Sequence, residues 1–261
     1  MNILRSAIPY VGNKYSIFEQ IDRKLPDDIK TFRDIFCGSG VVSLNVKADK
    51  YVLTDISTEL IELHNKISDL DFCKYLMTAD TINESDRDGY YALRYNYNRT
   101  RYPSELLLLL YRSFSNQMRF NEAGDFNMPY GKRNSISWDK LVKHYQFMSS
   151  NDVEIINCGF DEALSNVSSD DFVFLDPPYF NSVATYNNGW DDEHEDKLYD
   201  TVSKLPCKWM MTNTLSNRGI ENKQLINFAE QYNVSPINST FNYDRFRKTE
   251  CAKQEVIITN Y

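Results

Sequence analysis

The sequence predicts an α/β fold: a seven-stranded sheet interrupted by one long insertion. Three observations predict it. Short apolar runs at 32–36, 51–55, 153–158, 171–175, 207–212, 233–238 and 254–259 have the β-branched and aromatic character of buried strands, and most alternate with helical patterns. The first run leads into a glycine-rich turn, Gly38-Ser39-Gly40. The fourth leads into Asp176-Pro177-Pro178-Tyr179. That puts an acid, a free carbonyl and an aromatic ring at the carboxyl end of a strand, where open α/β sheets bind their ligands.

The elements follow in order. Residues 7–14 read Ala-Ile-Pro-Tyr-Val-Gly-Asn-Lys, and a helical pattern continues through Ile17, Phe18, Ile21 and Leu25 until Pro26 breaks it. Gly12-Asn13-Lys14 ahead of a helix offers a lysine and backbone N–H groups to an anionic group. An ordinary loop with a solvated lysine has the same pattern. Strand 32–36, the glycine turn and a helix over 41–46 form a strand–turn–helix unit. Strand 51–55 ends in Asp55, at about the spacing where Rossmann-like folds hold a ribose hydroxyl. The third glycine of G-x-G-x-x-G is Ser43 here, which favours a nucleoside cofactor without a phosphate over a pyrophosphate ligand.

Residues 57–76 carry a helical apolar stripe of Leu60, Ile61, Leu63, Ile67 and Leu70, with His64 on it as a satisfied, semi-buried histidine. Helices are expected at 86–99 and 104–113, the second nearly all leucine and therefore buried. Between 112 and 133, Arg112, Arg119, Lys132 and Arg133 stand among Phe114, Phe120, Phe126 and Tyr130, around a Glu122-Ala123-Gly124-Asp125 turn. This reads as a hairpin. It is either a solvated hairpin with cationic decoration or a surface for base edges and phosphates. Further helices are expected at 137–149, 191–204 and 217–231. Roughly ninety residues separate the second strand from the third, too many for a simple connection. The expected division is a catalytic domain at 1–55 and 151–261 and a target-recognition subdomain at 56–150.

Asp176-Pro177-Pro178-Tyr179 carries the chemistry. Each proline lacks an N–H and fixes φ, so the backbone leaves the sheet rigidly. Pro177 also keeps Asp176 extended. The Asp176 carboxylate and the Pro177 carbonyl are suited to accept both hydrogens of an exocyclic amine on a base. Tyr179 would stack on the base, and the nitrogen lone pair would point at an electrophile. For these four residues alone, a Pro-Pro turn with a solvated acid is the competing reading.

The bulk properties narrow the class. The chain has 261 residues, ample apolar content at 42% for a core, and no apolar run long enough to span a bilayer. Its amino terminus lacks a signal-peptide apolar region. Five scattered cysteines and three scattered histidines suggest neither a disulfide framework nor a metal site, and point to a reducing, cytoplasmic compartment. A net charge of −8 argues mildly against a nucleic-acid partner, but a local basic surface is enough for a small footprint.

The motifs together resemble the Dam family of DNA adenine-N6 methyltransferases, and within it the branch typified by T-even phage Dam. The order is P-Y-x-G-N-K from Pro9 to Lys14, D-x-F-C-G-x-G from Asp34 to Gly40, an insertion, then D-P-P-Y from Asp176 to Tyr179. The likeness runs from Ala7 to the terminal strand. It implies a class I S-adenosylmethionine-dependent methyltransferase fold, Rossmann-like, with helices on both faces and an inserted helical and β-hairpin DNA-recognition subdomain. Carried over by residue, Tyr10 and Lys14 line the S-adenosylmethionine pocket. Asp34, Phe36, Gly38 and Gly40 surround its methionine part, Asp55 holds the ribose, and Phe160 packs on its adenine. Asp176, Pro177 and Tyr179 hold the target adenine, with Asp176 also facing the cofactor. In the insertion, Phe114 is the wedge entering the duplex, Arg119 and Arg133 read guanines, and Asn121 makes a polar contact. Ser115, Gln117 and Pro129 complete the DNA-binding set, with Gln117 departing from the hydrophobic residue common at its place. The implied partner is double-stranded DNA, usually at GATC. No metal is implied, and the chain is expected to act as a monomer or weak dimer in the cytoplasm (of the host cell, if phage-encoded). Aspartate in the first motif position favours adenine; asparagine would favour an amide and serine cytosine N4. An RNA adenine or protein amide methyltransferase stays open. So does a non-catalytic DNA-binding module, though intact Asp176, Gly38 and Gly40 argue against it.

Overall fold

The structure is a computed structural model and describes residues 3–79, 86–132, 135–179, 189–238 and 253–261. Five parallel strands form its centre: β1 (Thr31–Asp34), β2 (Lys50–Asp55), β3 (Asp152–Asn157), β4 (Asp171–Leu175) and β5 (Lys208–Asn217). A short β6 (Ile220–Glu221) folds back on β5, and β7 (Asn233–Pro236) and β8 (Gln254–Thr259) complete the sheet. The order is β3-β2-β1-β4-β5-β8-β7, with β8 antiparallel to both of its neighbours. All seven expected strands are present, and β6 is an addition.

The strand register explains the core. Along β4, Phe172 and Phe174 face one apolar layer, while Val173 and Leu175 face the other. This two-residue alternation covers both faces of a central parallel strand, so its residues read as one apolar run. On the second face Trp209, Leu198 and Leu225 fill the layer. On the first, one cluster runs from Phe32 and Leu53 through Leu60 and Leu107 to Tyr90 and Phe126, joining sheet and insertion.

Nine helices are described. A 3-10 turn at Lys14–Ile17 leads into α1 (Phe18–Asp22). Next come α2 (Thr58–Ile67), α3 (Leu70–Ala79), α4 (Arg87–Thr100), α5 (Pro103–Arg112) and α6 (Trp138–Ser150), followed by α7 (Phe160–Leu164), α8 (Asp192–Ser203) and α9 (Lys223–Ala229). Ser57 caps α2 by accepting from Leu60 N, and Pro103 opens α5 where a missing N–H costs nothing.

Several expectations are corrected. Residues 41–46 form successive turns, not a helix. Their valines are poor helix formers, and two polar side chains pull away: Ser43 bonds Asp34, and Asn45 pairs with the backbone of Leu4. The helix expected over 57–76 breaks into α2 and α3. The helix expected from 217 starts at Lys223, because Arg218 and Gly219 take positive φ and turn β5 into β6. The expected hairpin at 112–133 has isolated bridges only, Ser113 to Tyr130 and Phe120 to Phe126. Arg112 is 1% exposed, so it is no part of a basic surface. His64 is fully buried, not semi-buried. The short α7 was not foreseen.

Candidate active site

Strand order reverses between β1 and β4, and the crevice outside the carboxyl ends of such a pair is where open α/β sheets bind ligands. A cleft of about 1100 Å³ lies there. Three of the carboxylates lining it come from strand ends: Asp34 ends β1, Asp55 ends β2, and Asp176 follows β4.

At one end the backbone is shaped by glycine. Gly38 has φ +49 and Gly40 φ +70, a region L side chains rarely adopt. A Cβ on Gly38 would lie 3.1 Å from the Tyr10 ring, and one on Gly40 would lie 2.9 Å from His64. His64 Nε2 sits 2.9 Å from the Gly38 carbonyl. A carbonyl only accepts, so Nε2 carries the hydrogen and His64 clamps the loop from below. Burial pulls the His64 pKa down to about 4 and keeps the ring neutral. Asp55 holds the same loop, accepting from Gly38 N at 3.0 Å and from Ser57 N at 2.9 Å. Asp34 accepts from Ser43 Oγ at 2.7 Å. Burial first, and then the charges of Asp176 and Asp55, push the Asp34 pKa up to about 7. Beside these acids, Phe36, Phe160 and Trp190 form a triangle with ring centroids 6.0, 5.8 and 5.7 Å apart.

This end fits a cationic nucleoside. Flat rings suit a base, and the acids keep lone pairs for hydroxyl and ammonium groups. Gly38, which has no side chain, admits close approach.

At the other end Asp176 is held from both sides. Lys14 Nζ donates to its Oδ2 and, at 2.9 Å, to the Gly12 carbonyl. Thr212 Oγ1 donates to its Oδ1 at 2.7 Å. Lys14 is buried and committed to this ion pair, which differs from the expected lysine free to meet an anion. The ammoniums of Lys14 and Lys253 lie 5.0 and 4.7 Å from the Tyr179 ring centre. Pro177 lines the same end.

The cleft runs on into the insertion, where Met118, Arg119 and Phe120 line it. Arg119 donates across the turn to Asn127, Nε to Oδ1 at 2.7 Å. Asn121 closes that turn, its Oδ1 accepting from Asp125 N at 2.8 Å. Phe114 is 58% exposed, as a wedge would be. Ser115 and Asn116 both take positive φ, and the Pro129 carbonyl accepts from Phe114 N at 2.9 Å. Gln117 is half-buried with its carbonyl facing Ser113 Oγ. Arg133 lies outside the described residues.

Residues 10–250 match the family described as D12 class N6 adenine-specific DNA methyltransferase. The chain belongs to that family. The D12 chain is 30% identical to the type II methyltransferase M.FokI of Planomicrobium okeanokoites, over 99% of this chain and 43% of that protein. It is 29% identical to the modification methylase StsI of Streptococcus sanguinis, again over 99% of this chain and 43% of that protein. It therefore spans less than half the length of these two relatives. A DNA adenine methylase of Vibrio cholerae is 25% identical over 90% of this chain and 89% of its own length. The sheet is that of a class I methyltransferase, and family and fold together imply S-adenosylmethionine as methyl donor.

The structure thus gathers at the cleft of this D12 chain all but one of the residues expected at the cofactor and catalytic ends. Gly40 lies just beneath, against His64. Sequence reasoning missed Thr212, Trp190 and Lys253. Thr212 carries no distinguishing signal, being one of three hydroxyl residues along β5. Trp190 stands just before Asp191, the cap of α8, and an aromatic at that place was a usable hint.

Proposed function

We propose that the protein transfers the methyl group of S-adenosylmethionine to N6 of an adenine in double-stranded DNA. One observation carries the reading: the Asp176 carboxylate, fixed by Lys14 and Thr212, faces the cleft at the sheet's switch point. When bound, S-adenosylmethionine supplies a sulfonium methyl as electrophile. Tyr10, Phe36, Gly38, Phe160 and Trp190 would hold it, with Asp34 and Asp55 taking its polar groups.

The target base must leave the stack to reach Asp176. A carboxylate has about four lone-pair positions, so the bonds from Lys14 and Thr212 leave room for an N6 hydrogen. The Pro177 carbonyl takes the other, and Tyr179 stacks on the ring. The nitrogen lone pair is thereby turned out of the base plane. With that methyl group bonded to N6 and the sulfur left as the neutral thioether of S-adenosylhomocysteine, Asp176 would pass the surplus N6 proton to water. Both acceptors stabilise the charge that develops on N6.

Residues 56–150 would read the target, and 1–55 with 151–261 would carry the chemistry. Phe114, Ser115, Gln117, Arg119, Asn121, Pro129 and Arg133 form the proposed DNA face. The finer proposals, a GATC site and kinship with the T-even phage branch, rest on the motif resemblance. So does action as a monomer or weak dimer, while a cytoplasmic location rests on the scattered cysteines. The test is methylation of a GATC duplex, of duplexes altered at one base pair, and of RNA of the same sequence, read by nucleoside mass spectrometry. N6-methyladenine in the GATC duplex alone is expected. Its absence from every duplex refutes the activity, and its even spread refutes the site.

A further inference from the structure

The turn carrying Arg119 folds back on itself as a minimal ribbon around one isolated bridge. Asn127 N donates to Arg119 O at 3.0 Å and Asn121 N to Asp125 O at 2.9 Å, flanking the Phe120–Phe126 bridge. That pattern is a non-hydrogen-bonded pair, in which the N–H and C=O of each bridged residue point away from the partner strand. The backbone groups of Phe126 therefore point outward, and its side chain is 1% exposed. Left bare, these groups would carry the desolvation cost of unmade bonds.

They are not bare. The carboxamide of Asn98, on α4, meets both: Phe126 N donates to Asn98 Oδ1 at 2.9 Å, and Asn98 Nδ2 donates to Phe126 O at 3.2 Å. The next outward carbonyls are met from the same helix. Met128 O accepts from Tyr90 Oη at 2.9 Å and from Arg94 Nη1 at 3.0 Å. Gly124 O accepts from Arg101 Nη1 at 2.7 Å, and Arg101 Nη2 reaches Asp125 Oδ1 at 2.7 Å. Positions 90, 94 and 98 recur every four residues and so share one face of α4, and Arg101, the left-handed residue capping its carboxyl end, continues the row. The lengths agree. At helical rise α4 from residue 90 to its cap at 101 covers about 16 Å, and at the rise of an extended chain residues 124 to 128 cover about 14 Å. One helix face thus supplies, through side chains, what a third strand would supply through backbone.

We infer that α4 sets the register and position of the base-reading ribbon, with Asn98 as the central specificity-positioning residue. The inference rests on the DNA-reading role proposed for Arg119. Asn98 has no part in the cleft and acts through the ribbon: Phe126 is paired across it with Phe120, the neighbour of Arg119. Tyr97 packs on both rings, at 6.1 Å from Phe126 and 6.5 Å from Phe120, so the same helix also fixes the ribbon's apolar side.

The test uses the full chain and two readouts. Hydrogen exchange of the Phe126 amide should be slow in the wild type and about a hundredfold faster in Asn98→Ala. Asn98→Asp keeps the acceptor for that amide and should stay slow. In parallel, kcat/KM is measured on the cognate duplex and on duplexes altered at one base pair. Asn98→Ala should lose about tenfold of the discrimination, while S-adenosylmethionine affinity and kcat on saturating cognate duplex hold within about threefold. If Asn98→Ala does not fold, Arg101→Met at the exposed end of the ladder takes its place, with a smaller loss expected. A slow Phe126 amide in Asn98→Ala overturns the ladder. A fast amide with unchanged discrimination overturns the specificity role and leaves Asn98 purely structural. A wild type that methylates no duplex refutes the proposed function and the specificity role together, while the exchange readout still judges the ladder.

Discussion

Thr212→Val should slow methyl transfer without weakening the binding of cofactor or DNA. Thr212 is fully buried on β5, one residue beyond the Leu175–Met211 pair that aligns β5 with β4. Backbone pairing thus fixes where its hydroxyl points, and that hydroxyl donates to Asp176 Oδ1 at 2.7 Å. Valine keeps the shape and the strand preference and removes only the donor. A hydrogen bond to a charged acceptor is worth about 1.5–3 kcal/mol. If all of it were lost in the transition state, kcat would fall by about tenfold to 150-fold. Two features favour the lower part of that range. Lys14 still holds the other oxygen, and the Asp176 side chain is 19% exposed, so water can replace part of the donor. We expect a loss of about tenfold to fiftyfold in single-turnover rate at saturating duplex and cofactor, with dissociation constants unchanged. Thr212→Ser should recover activity to within about threefold of wild type. A valine variant as fast as wild type, or a serine variant as slow as valine, would show that the hydroxyl does not position Asp176.

Other expectations follow from the same geometry. Asp176→Ala should abolish transfer, a loss of at least about 10²–10³ in rate, with both ligands still bound; turnover near the wild-type rate would return the motif to a structural turn. Asp55→Ala should weaken S-adenosylmethionine by about 1.5–3 kcal/mol and also lower the melting temperature of the free protein, since Gly38 N and Ser57 N lose their acceptor. Unchanged affinity by calorimetry would remove Asp55 from the site. Asp34, with a pKa near 7 against an ordinary 3.8, contributes stability fully below pH 3.8 and loses it as pH rises through 7. A cationic cofactor should favour its ionised form, so binding at pH 7 should release a fraction of a proton, and affinity should rise with pH through that region. Calorimetry in buffers of different ionisation enthalpy reads this, and Asp34→Asn should abolish it. His64 has the opposite sense: its folded pKa of about 4 lies below the ordinary 6.5, so its stability is present above 6.5 and lost as pH falls towards 4. That amounts to about 3 kcal/mol, and His64→Gln should flatten this part of the stability–pH curve.

What the sequence revealed was local. The strands were legible because burial on both faces writes a continuous apolar run, as in 171–175. The two ligand ends were legible because positive-φ glycines and a Pro-Pro exit must be encoded where they occur. The unread parts depend on side chains meeting distant backbone. The 41–46 segment has a helical apolar pattern, but Ser43 and Asn45 are drawn off by Asp34 and Leu4. Arg112 reads as a surface charge, yet it continues the buried leucine face of α5 and reaches back to Leu108 O at 3.3 Å. Nothing in the residues around Asn98 announces that its amide will stand in for a strand.

The pairing of β1 with β4 has a kinetic consequence. Thr31 lies beside Asp171, so the two halves of the cleft floor meet only after the intervening chain has been closed into a loop. For a flexible loop of that length the length-dependent closure entropy is about 4 kcal/mol, and it must be met before the pairing gives anything back. The contacts of α4, α5 and the ribbon are much closer in sequence. We expect them to form first and bring the ends of the insertion together, so that the recognition element acts as a folding clamp for the catalytic one. Pulse-labelling hydrogen exchange during refolding should then find the Phe126 amide and the α5 amides protected before those of β1 and β4. The reverse order would show that the sheet closes without that help.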